Sequence, residues 1–366
     1  MRLFVYLYLI VFSLILSLLL VPLAKLAAIR FKILDHPGDR KIHTNPKPYL
    51  GGVAIYLSFL LTLGINILFL FIFKDTEIFK DFNFLFSQIP LLIKVSPKLV
   101  AIISGASILV VLGVIDDKKG AAFSAKWKLF GQIIAALIVV FAGVKISYLP
   151  FDWMDWIFSI LWIVGITNAF NLLDNMDGLS GGVAIISAII FLLVTVSQGQ
   201  FFMALILSVF VGSTLGFLKY NYNPSSIFMG DAGSMFLGFI LGTLTISASY
   251  VTPQSAGLLP ALMPLVILSI PIFDTISVII IRIKEKRPIY IGDKRHLSHR
   301  LVDMGFSQKN AVNLIYLLTF TIGLAAFLLP SASYTESIII FTQTLIILII
   351  VSILMFVGKR NSNNRS

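Results

Sequence analysis

Residues 168–182 read NAFNLLDNMDGLSGG and separate two apolar runs of the chain. Asn171, Asp174 and Asp177 stand three positions apart, a spacing that keeps side chains on adjoining parts of a helix surface. Carboxylates beside a bilayer are costly unless they are paired or bound to a cation. The stretch therefore predicts a ligand site at the mouth of membrane helices. A polar loop that only caps two helices is the alternative.

The composition of the whole chain is that of a membrane protein. Of its 366 residues, 58% are hydrophobic and 12% are charged, whereas soluble domains carry about 25% charged residues. The chain has no cysteine, which excludes disulfides, thiol nucleophiles and cysteine zinc sites. The formal net charge of +11 suits cytoplasmic loops beside anionic lipid, or an anionic substrate, so no nucleic acid partner is needed.

Apolar runs approach the roughly 20 residues that a membrane-spanning helix requires. We therefore expect an all-α polytopic integral membrane protein with about 10–11 transmembrane helices, forming a single catalytic domain over residues 1–366. The expected spans are residues 3–28, 51–73, 99–115, 127–145, 155–172, 182–198, 201–219, 233–250, 259–281, 310–329 and 337–357. The third span is short, and residues 82–96 are expected to dip into the membrane interface.

Lysine and arginine set the expected orientation. With the N-terminus outside, the inner segments hold 22 of the 28 Lys and Arg residues, as the positive-inside rule requires. We expect a multi-pass plasma (inner) membrane protein with its C-terminus inside. The expected cytoplasmic loops lie near residues 29–50, 116–127, 173–182, 220–233 and 282–309.

The polar chemistry of the chain separates by side in this topology. The residues that face the cytoplasm are His36, His43, His296, His299, Asp116, Asp117, Asp174, Asp177 and Asp231. The outer loops carry only scattered charge. Any catalysis is therefore expected on the cytoplasmic face.

Asp116 and Asp117 close the third span in the segment VIDDKKG. Adjacent carboxylates on a helix diverge, so one can face a ligand while the other pairs with Lys118 or Lys119. A carboxylate near membrane depth holds a proton more tightly, which suits a general base. The alternative of a solvated helix end is disfavoured, because acids at a helix C-terminus oppose the macrodipole.

Asp231 lies between glycines in NPSSIFMGDAGSMFLG, just before an apolar span. The N–H groups of such a helix start also favour anions. Asn171 and Asp231 together offer hard oxygen ligands, and Mg²⁺ commonly takes one or two carboxylates with substrate phosphate and water. Phe228 can stack on a base or pack in the core.

Basic loops supply a counter-surface for an anion. Within six residues, four side chains can donate to phosphate: Arg295, His296, His299 and Arg300. A generic basic loop is the alternative, although histidine adds little to positive-inside anchoring. Asp274, in PIFDTIS, pairs with a basic group or lines the cleft, and we interpret it as structural.

Two more basic sets point to an anion. The loop at residues 35–52, DHPGDRKIHTNPKPYLGG, is shaped by its prolines and glycines and carries Arg40, Lys41, His43 and Lys47. Lys126 and Lys128 begin the fourth span, where they suit a phosphate or simple positive-inside anchoring. Of the two, we expect Lys126 to bind substrate.

Five ordered motifs resemble those of the polyprenyl-phosphate N-acetylhexosamine-1-phosphate transferase family, and most of all its undecaprenyl-phosphate GlcNAc-1-phosphate transferases. They read DHPGDRKIHTNPKPYLGG, VIDDKKG, NAFNLLDNMDGLSGG, FMGDAGSMFLG and DKRHLSHRLVDMG. The resemblance implies ten or eleven helices around a cytoplasmic cleft, a UDP-sugar and a polyprenyl phosphate as substrates, and Mg²⁺ as cofactor, with Mn²⁺ as its alternative.

The resemblance also implies roles for single residues. Asp231 would bind the metal with Asn171, and Asp116 and Asp117 would lie beside the lipid phosphate, one of them as base or orienter. The uridine side would be held by Asp174, Asp177 and Phe228, and the sugar and diphosphate by the 295–300 loop.

The expected reaction transfers HexNAc-1-phosphate, most favourably GlcNAc-1-phosphate, from UDP-HexNAc to undecaprenyl phosphate and releases UMP. This is the first membrane step of cell-envelope polysaccharides such as lipopolysaccharide or teichoic acid. Phospho-MurNAc-pentapeptide transferase is the alternative, but Ser298, His299 and Arg300 stand where that enzyme has three consecutive histidines. A cation-coupled transporter is disfavoured, since the acids lie at span ends and no repeat is visible. A homodimer is left open.

Overall fold

Long helices make up most of the described part of the protein. The computed structural model describes residues 2–35, 45–74, 76, 83–251, 257–286 and 295–363. Its helices are α1 (Arg2–Arg30), α2 (Gly51–Phe73), α3 (Asn83–Phe86), α4 (Ile89–Lys119), α5 (Ala125–Phe141), α6 (Asp152–Leu173), α7 (Leu179–Ser197), α8 (Phe201–Asn221), α9 (Gly230–Ser247), α10 (Met263–Ile267), α11 (Ser269–Lys284), α12 (Leu297–Asp303), α13 (Gln308–Ala326) and α14 (Tyr334–Asn363). Two short strands, β1 (Leu34–Asp35) and β2 (Lys47–Pro48), pair antiparallel.

The expected all-α membrane fold is confirmed. Within the described ranges, nine helices are long and apolar enough to cross a membrane. The number is ten if α11 counts as one span with the bent segment before it, Leu259–Ile267, in which a 3-10 helix over Leu259–Leu262 leads into α10. The 17-residue helix α5 matches the fourth expected span. The orientation of the termini and the single-domain boundary stay predictions.

The third span is longer than the sequence pattern suggested. Instead of a short span after an interfacial segment, α4 runs unbroken over 31 residues and contains Pro97. Proline cannot donate to the carbonyl four residues earlier, but the Ser96 hydroxyl donates to that Ile93 carbonyl at 2.8 Å. The local hydrogen bond lets the helix continue through the proline.

The ninth expected span, by contrast, is broken. α10 and α11 meet at Leu268 with a bend of 69°. Pro264 lies in the first turn of α10, and Pro271 has no N–H for the Ile267 carbonyl. Two prolines seven residues apart remove enough of the helical ladder to turn the chain.

Helix α9 is the centre of the fold, because it is buried along nearly its whole length and packs against α2, α4 and α6. Small residues allow these backbones to approach closely. A Cβ added at Gly52 of α2 would overlap the Gly233 backbone, and one at Gly113 of α4 would overlap Ala232. The glycines therefore fix the position of α9 between its neighbours.

We expect Gly52→Ala to destabilise the protein by about 1–3 kcal/mol, the usual cost of overpacking a tight core. Thermal unfolding in mild detergent, followed by fluorescence-detected size exclusion, measures the effect. Gly64→Ala is the matched control on the same helix, because a Cβ there meets no described atom within 4 Å. Equal melting temperatures for the two variants would contradict this packing.

Candidate active site

Four helix ends meet at one end of the bundle and bring together residues from distant parts of the chain. The Lys128 ammonium contacts Asp231 Oδ2 and lies 2.6 Å from Asp116 Oδ2. Asn171 Nδ2 donates to Asp231 Oδ1 at 2.9 Å. We call Asp116, Asp117, Lys128, Asn171 and Asp231 the acid cluster. Its members come from α4, α5, α6 and α9.

Asp117 holds the start of α9. Its carboxylate accepts the backbone N–H of Asp231 at 2.8 Å and that of Ala232 at 3.4 Å. The first N–H groups of a helix lack partners within the helix, and a carboxylate there also favours the macrodipole. Gly230 has a φ of +70°, and a Cβ at this position would overlap the Asp117 carboxylate. Asp117 therefore positions α9, whereas Asp116 points toward Lys128.

The structure separates the two lysines at the start of α5. Lys126 is exposed and its backbone N–H is bound by the Ser124 hydroxyl, whereas the Lys128 side chain is only 21% exposed and lies between two carboxylates. One turn further along, Gln132 is buried and exchanges amide hydrogen bonds with Asn168. The sequence analysis did not decide whether Lys128 binds an anion, and it missed Gln132. Gln132 follows Lys128 by four positions, so the two side chains lie on the same inward face of α5.

Asp174 adds another carboxyl to this region, just after α6 ends. Burial, followed by the charges of Asp231 and Asp177, raises the pKa of Asp174 to about 8. Among the described residues, its side chain has no hydrogen-bond or ion-pair partner. The carboxylate is therefore costly to ionise until a cation or a hydrogen-bond donor arrives.

Asp177 organises a second group of predicted residues. Its carboxylate accepts from the Ser225 N–H at 2.9 Å, contacts the Ser225 hydroxyl at 2.8 Å and lies 3.5 Å from Lys47 Nζ. The same ammonium lies 4.9 Å from the ring centroid of Phe228, within the range of a cation–π contact. Lys47, Asp177 and Phe228 therefore lie together, as three of the residues expected to bind substrate.

Helix α12 brings the basic segment toward the stretch at residues 168–182. Buried Asp274 holds the start of α12, since its Oδ2 lies 2.8 Å from His296 Nδ1 and its Oδ1 accepts the Leu297 N–H at 2.6 Å. Ser298 Oγ donates to Asn175 Oδ1 at 2.5 Å. The structural interpretation of Asp274 fits these contacts, and α12 lies against the loop that follows α6.

The other basic residues of this segment have contacts away from the acid cluster. Arg295 forms an ion pair with Glu285, and Arg300 donates to Met355 Sδ at 3.4 Å. His299 is half-buried in the first turn of α12. The histidine and basic residues expected in the first cytoplasmic loop lie outside the described residues: His36, Arg40, Lys41 and His43.

The chemistry of the acid cluster fits a hard divalent cation that shares its shell with a substrate. No three His, Cys, Asp or Glu side chains in the described parts of the chain converge as a ready metal site. Asn171 faces Asp231 through its amide nitrogen, so in this arrangement it steadies the carboxylate. Mg²⁺ needs only one or two protein carboxylates when phosphate and water complete its shell. The donor set can therefore hold Mg²⁺ together with a phosphorylated ligand.

Comparisons with known proteins show which family the chain resembles. A family model described as glycosyl transferase family 4 matches residues 99–249, the range that contains the whole acid cluster. A probable undecaprenyl-phosphate N-acetylglucosaminyl 1-phosphate transferase of Bacillus subtilis (strain 168) is 35% identical, over 95% of this chain and 92% of the relative.

Two further relatives show how the similarity declines. A decaprenyl-phosphate N-acetylglucosaminephosphotransferase of Mycolicibacterium smegmatis is 31% identical, over 83% of this chain and 76% of its own. A phospho-N-acetylmuramoyl-pentapeptide-transferase of Bacillus anthracis is 28% identical, over 64% of this chain and 71% of its own. The N-acetylglucosamine relatives therefore match more of the chain, at higher identity.

The raised pKa of Asp174 predicts a pH-dependent cost in the metal-free protein. The pKa of Asp174 is about 8 in the folded state and has an ordinary value of 3.8, so the folded state binds this proton more tightly than the unfolded state does. The free energy of unfolding therefore falls as the pH rises toward 8 and the proton is lost. Asp174→Asn removes the titration. We expect its melting temperature in EDTA to exceed that of the wild type by a margin that grows from about pH 5 to about pH 8 and then levels off.

The control is Asp152→Asn, which changes an acid whose side chain is 93% exposed at the opposite end of α6. It should show no margin that depends on pH. A margin for Asp174→Asn that stays constant from pH 5 to pH 8 would mean that this carboxyl titrates normally in the folded protein.

Proposed function

Because the chain belongs to glycosyl transferase family 4, we propose that it transfers GlcNAc-1-phosphate from UDP-GlcNAc to undecaprenyl phosphate. An oxygen of the lipid phosphate forms a bond to the β-phosphorus of the donor. The bond between that phosphorus and the bridging oxygen breaks, and UMP leaves with the electron pair. The product is undecaprenyl-diphosphate-GlcNAc, a membrane-bound starting unit for a cell-envelope polysaccharide.

One observation carries the proposal: carboxylates from α4 and α9 converge with Lys128 at the end of an apolar helix bundle. The reaction needs such a place, because its acceptor is a lipid in the bilayer and its donor is soluble in water. Transfer between two anions requires charge neutralisation and alignment more than covalent help. A cluster of fixed charges at a helix-bundle end provides both.

The residues of the acid cluster divide this work. Asp117 holds the N-terminus of α9 and so fixes where Asp231 points. Lys128 contacts both Asp116 and Asp231 in the absence of ligand, so the two carboxyl groups share one positive charge. Its partly exposed ammonium can turn to an incoming phosphate. Asp116 would then be released to orient the lipid phosphate or to accept its proton. This order explains why a lysine sits between the two acids.

Mg²⁺ fits the site as the ion that neutralises the donor diphosphate when it is bound. Asp231 is the residue that would hold it, steadied by Asn171. The raised pKa of Asp174 marks a neighbouring carboxyl that lacks a positive partner among the described side chains. Mn²⁺, which also prefers oxygen ligands, is the natural substitute.

The group around Asp177 and the start of α12 are suited to the two ends of the donor. Phe228 presents an aromatic ring beside Lys47, a combination that suits a base and a phosphate. His296 and its neighbours on α12 reach the same region through the contact of Ser298 with Asn175. We place the nucleotide near Phe228 and the sugar phosphate near α12, with all of these groups on the cytoplasmic face.

The direct test measures UMP released from UDP-GlcNAc by purified protein with undecaprenyl phosphate and Mg²⁺. Asp231→Asn should lower the rate by at least roughly 100-fold, as the loss of one group that stabilises transition-state charge commonly does. EDTA should abolish the activity, and Mg²⁺ should restore it. Asp152→Asn, at the opposite end of the bundle, should retain the wild-type rate.

The outcome also separates the proposal from its competitors. UMP release from UDP-MurNAc-pentapeptide in preference to UDP-GlcNAc would assign the pentapeptide reaction instead. Nucleotide-sugar counterflow in vesicles without UMP formation would assign a transporter. Release that is insensitive to Asp231→Asn would exclude the acid cluster as the active site.

A lysine pair tests the arrangement of the cluster more finely. Lys128→Gln leaves Asp116 and Asp231 without their shared cation, so we expect a loss of at least roughly 100-fold in kcat/KM for UDP-GlcNAc. Lys126→Gln changes an exposed lysine only two residues earlier and should cost less than about fivefold, the size of a weak exposed charge contact. A larger loss for Lys126→Gln would restore the original expectation that Lys126 binds substrate.

A further inference from the structure

A large apolar cavity lies among helices α1, α2, α4, α8 and α9. It has a volume of about 970 Å³ and opens at the protein surface. Its walls are mostly leucine, isoleucine, valine and phenylalanine side chains. The polar residues that line it are Tyr8, Asn66, Gln88, Lys98 and Ser247. Neither its lining nor its chemistry is shared with the acid cluster.

The cavity lies at the opposite end of the bundle from the acid cluster. Helix α4 contributes to both, with Lys98 in the cavity wall and Asp116 in the cluster. Between these two residues an α-helix rises about 27 Å. Since the hydrocarbon core of a bilayer is about 30 Å thick, Lys98 lies near the far interface when Asp116 lies at the near one. The cavity therefore extends from the far headgroup region into the hydrocarbon.

A space of this kind does not stay empty in a bilayer. Apolar cavities exclude water because they offer it no hydrogen-bond partners. Unfilled, the lining side chains also lose the dispersion contacts that close packing supplies. Exposed Phe4, Tyr8 and Ile65 lie at the mouth, where the surrounding lipid is the nearest source of hydrocarbon. Lipid chains are the occupant that this lining selects.

Lys98 selects the headgroup. It is an exposed cation in the cavity wall, and within the described ranges it has neither a hydrogen bond nor an ion pair. A second protein copy laid over this apolar mouth would leave the ammonium buried without a partner, which is costly. The phosphate of a lipid provides the opposite charge at the interface where Lys98 lies.

We propose that this cavity is a binding site for one anionic phospholipid of the leaflet opposite the acid cluster, with its acyl chains in the cavity and its phosphate on Lys98. A polyprenyl phosphate fits less well under the proposed function, which requires its phosphate at the acid cluster, about 27 Å away along α4. The phospholipid contacts α1, α2, α4 and α8 together, and of these helices α2 and α4 pack directly on α9. The site is independent of the transfer reaction.

Native mass spectrometry of the full chain, delipidated and then titrated with lipid, tests the proposal. The two probes are phosphatidylglycerol and phosphatidylcholine with identical acyl chains. The wild type should bind one phosphatidylglycerol about fivefold more tightly than phosphatidylcholine, which corresponds to about 1 kcal/mol. Lys98→Gln should remove that preference while lipid binding itself persists.

Two further variants separate the headgroup from the cavity. Lys94→Gln is the matched control, since Lys94 is an exposed lysine one turn away on α4 that is not part of the cavity lining. It should keep the preference. Ile206→Trp places a larger side chain in the cavity wall and should weaken the binding of both lipids by at least roughly tenfold. Elution as a single species in size exclusion verifies that this variant is folded.

Four outcomes would overturn the proposal. These are equal binding of the two phospholipids by the wild type, loss of preference in Lys94→Gln as well as Lys98→Gln, specific retention of undecaprenyl phosphate that Lys98→Gln abolishes, and a lipid-free dimer whose interface covers the cavity. None of these measurements depends on UMP release. A protein that fails as a transferase can therefore still bind the phospholipid, and the reverse also holds.

Discussion

The contact between the Asp117 carboxylate and the first N–H groups of α9 supports the whole site. Helix α9 is buried almost throughout, so its polar N-terminus needs partners from the protein. Asp117 supplies them from α4, and Gly230 leaves room for that approach. Because Asp231 is in the first turn of the helix, fixing the helix start also fixes Asp231. The same carboxylate thus satisfies the fold and positions the chemistry.

Much of the fold could be predicted from the sequence, because a membrane requires long apolar runs and each expected span has a helix in the structure. The departures lie at prolines. Helix α4 continues through Pro97 because the Ser96 hydroxyl donates to the Ile93 carbonyl in place of the missing N–H. Pro264 and Pro271 together break the ninth expected span. Hydropathy sums residues without regard to hydrogen bonds, so it cannot distinguish a tolerated proline from a disruptive pair.

The residue types of the candidate site could be predicted from the sequence, but the role of each single residue could not. Neighbouring acids on a helix point in different directions, and the sequence does not say which one meets a partner helix. The structure assigns the helix contact to Asp117 and the lysine contact to Asp116. The choice between Lys126 and Lys128 likewise depends on the rotation of α5 relative to α9. Such information is contained in tertiary packing, although Gln132, one turn after Lys128, marks the same inward face of α5 in the sequence.

The membrane explains why the charges are arranged in this way. A carboxylate at a bundle end is expensive to bury alone, yet removing every such charge would leave nothing to align two anionic reactants. The cluster resolves the conflict by pairing Asp116 and Asp231 with one lysine, a partner that can also serve a phosphate. Asp174 has no such partner among the described residues. Its pKa is raised because burial and the nearby charges of Asp231 and Asp177 disfavour the ionised carboxylate. Ionised Asp174 therefore lowers the stability of the ligand-free protein, and the cation that we propose to bind with the donor would relieve this cost.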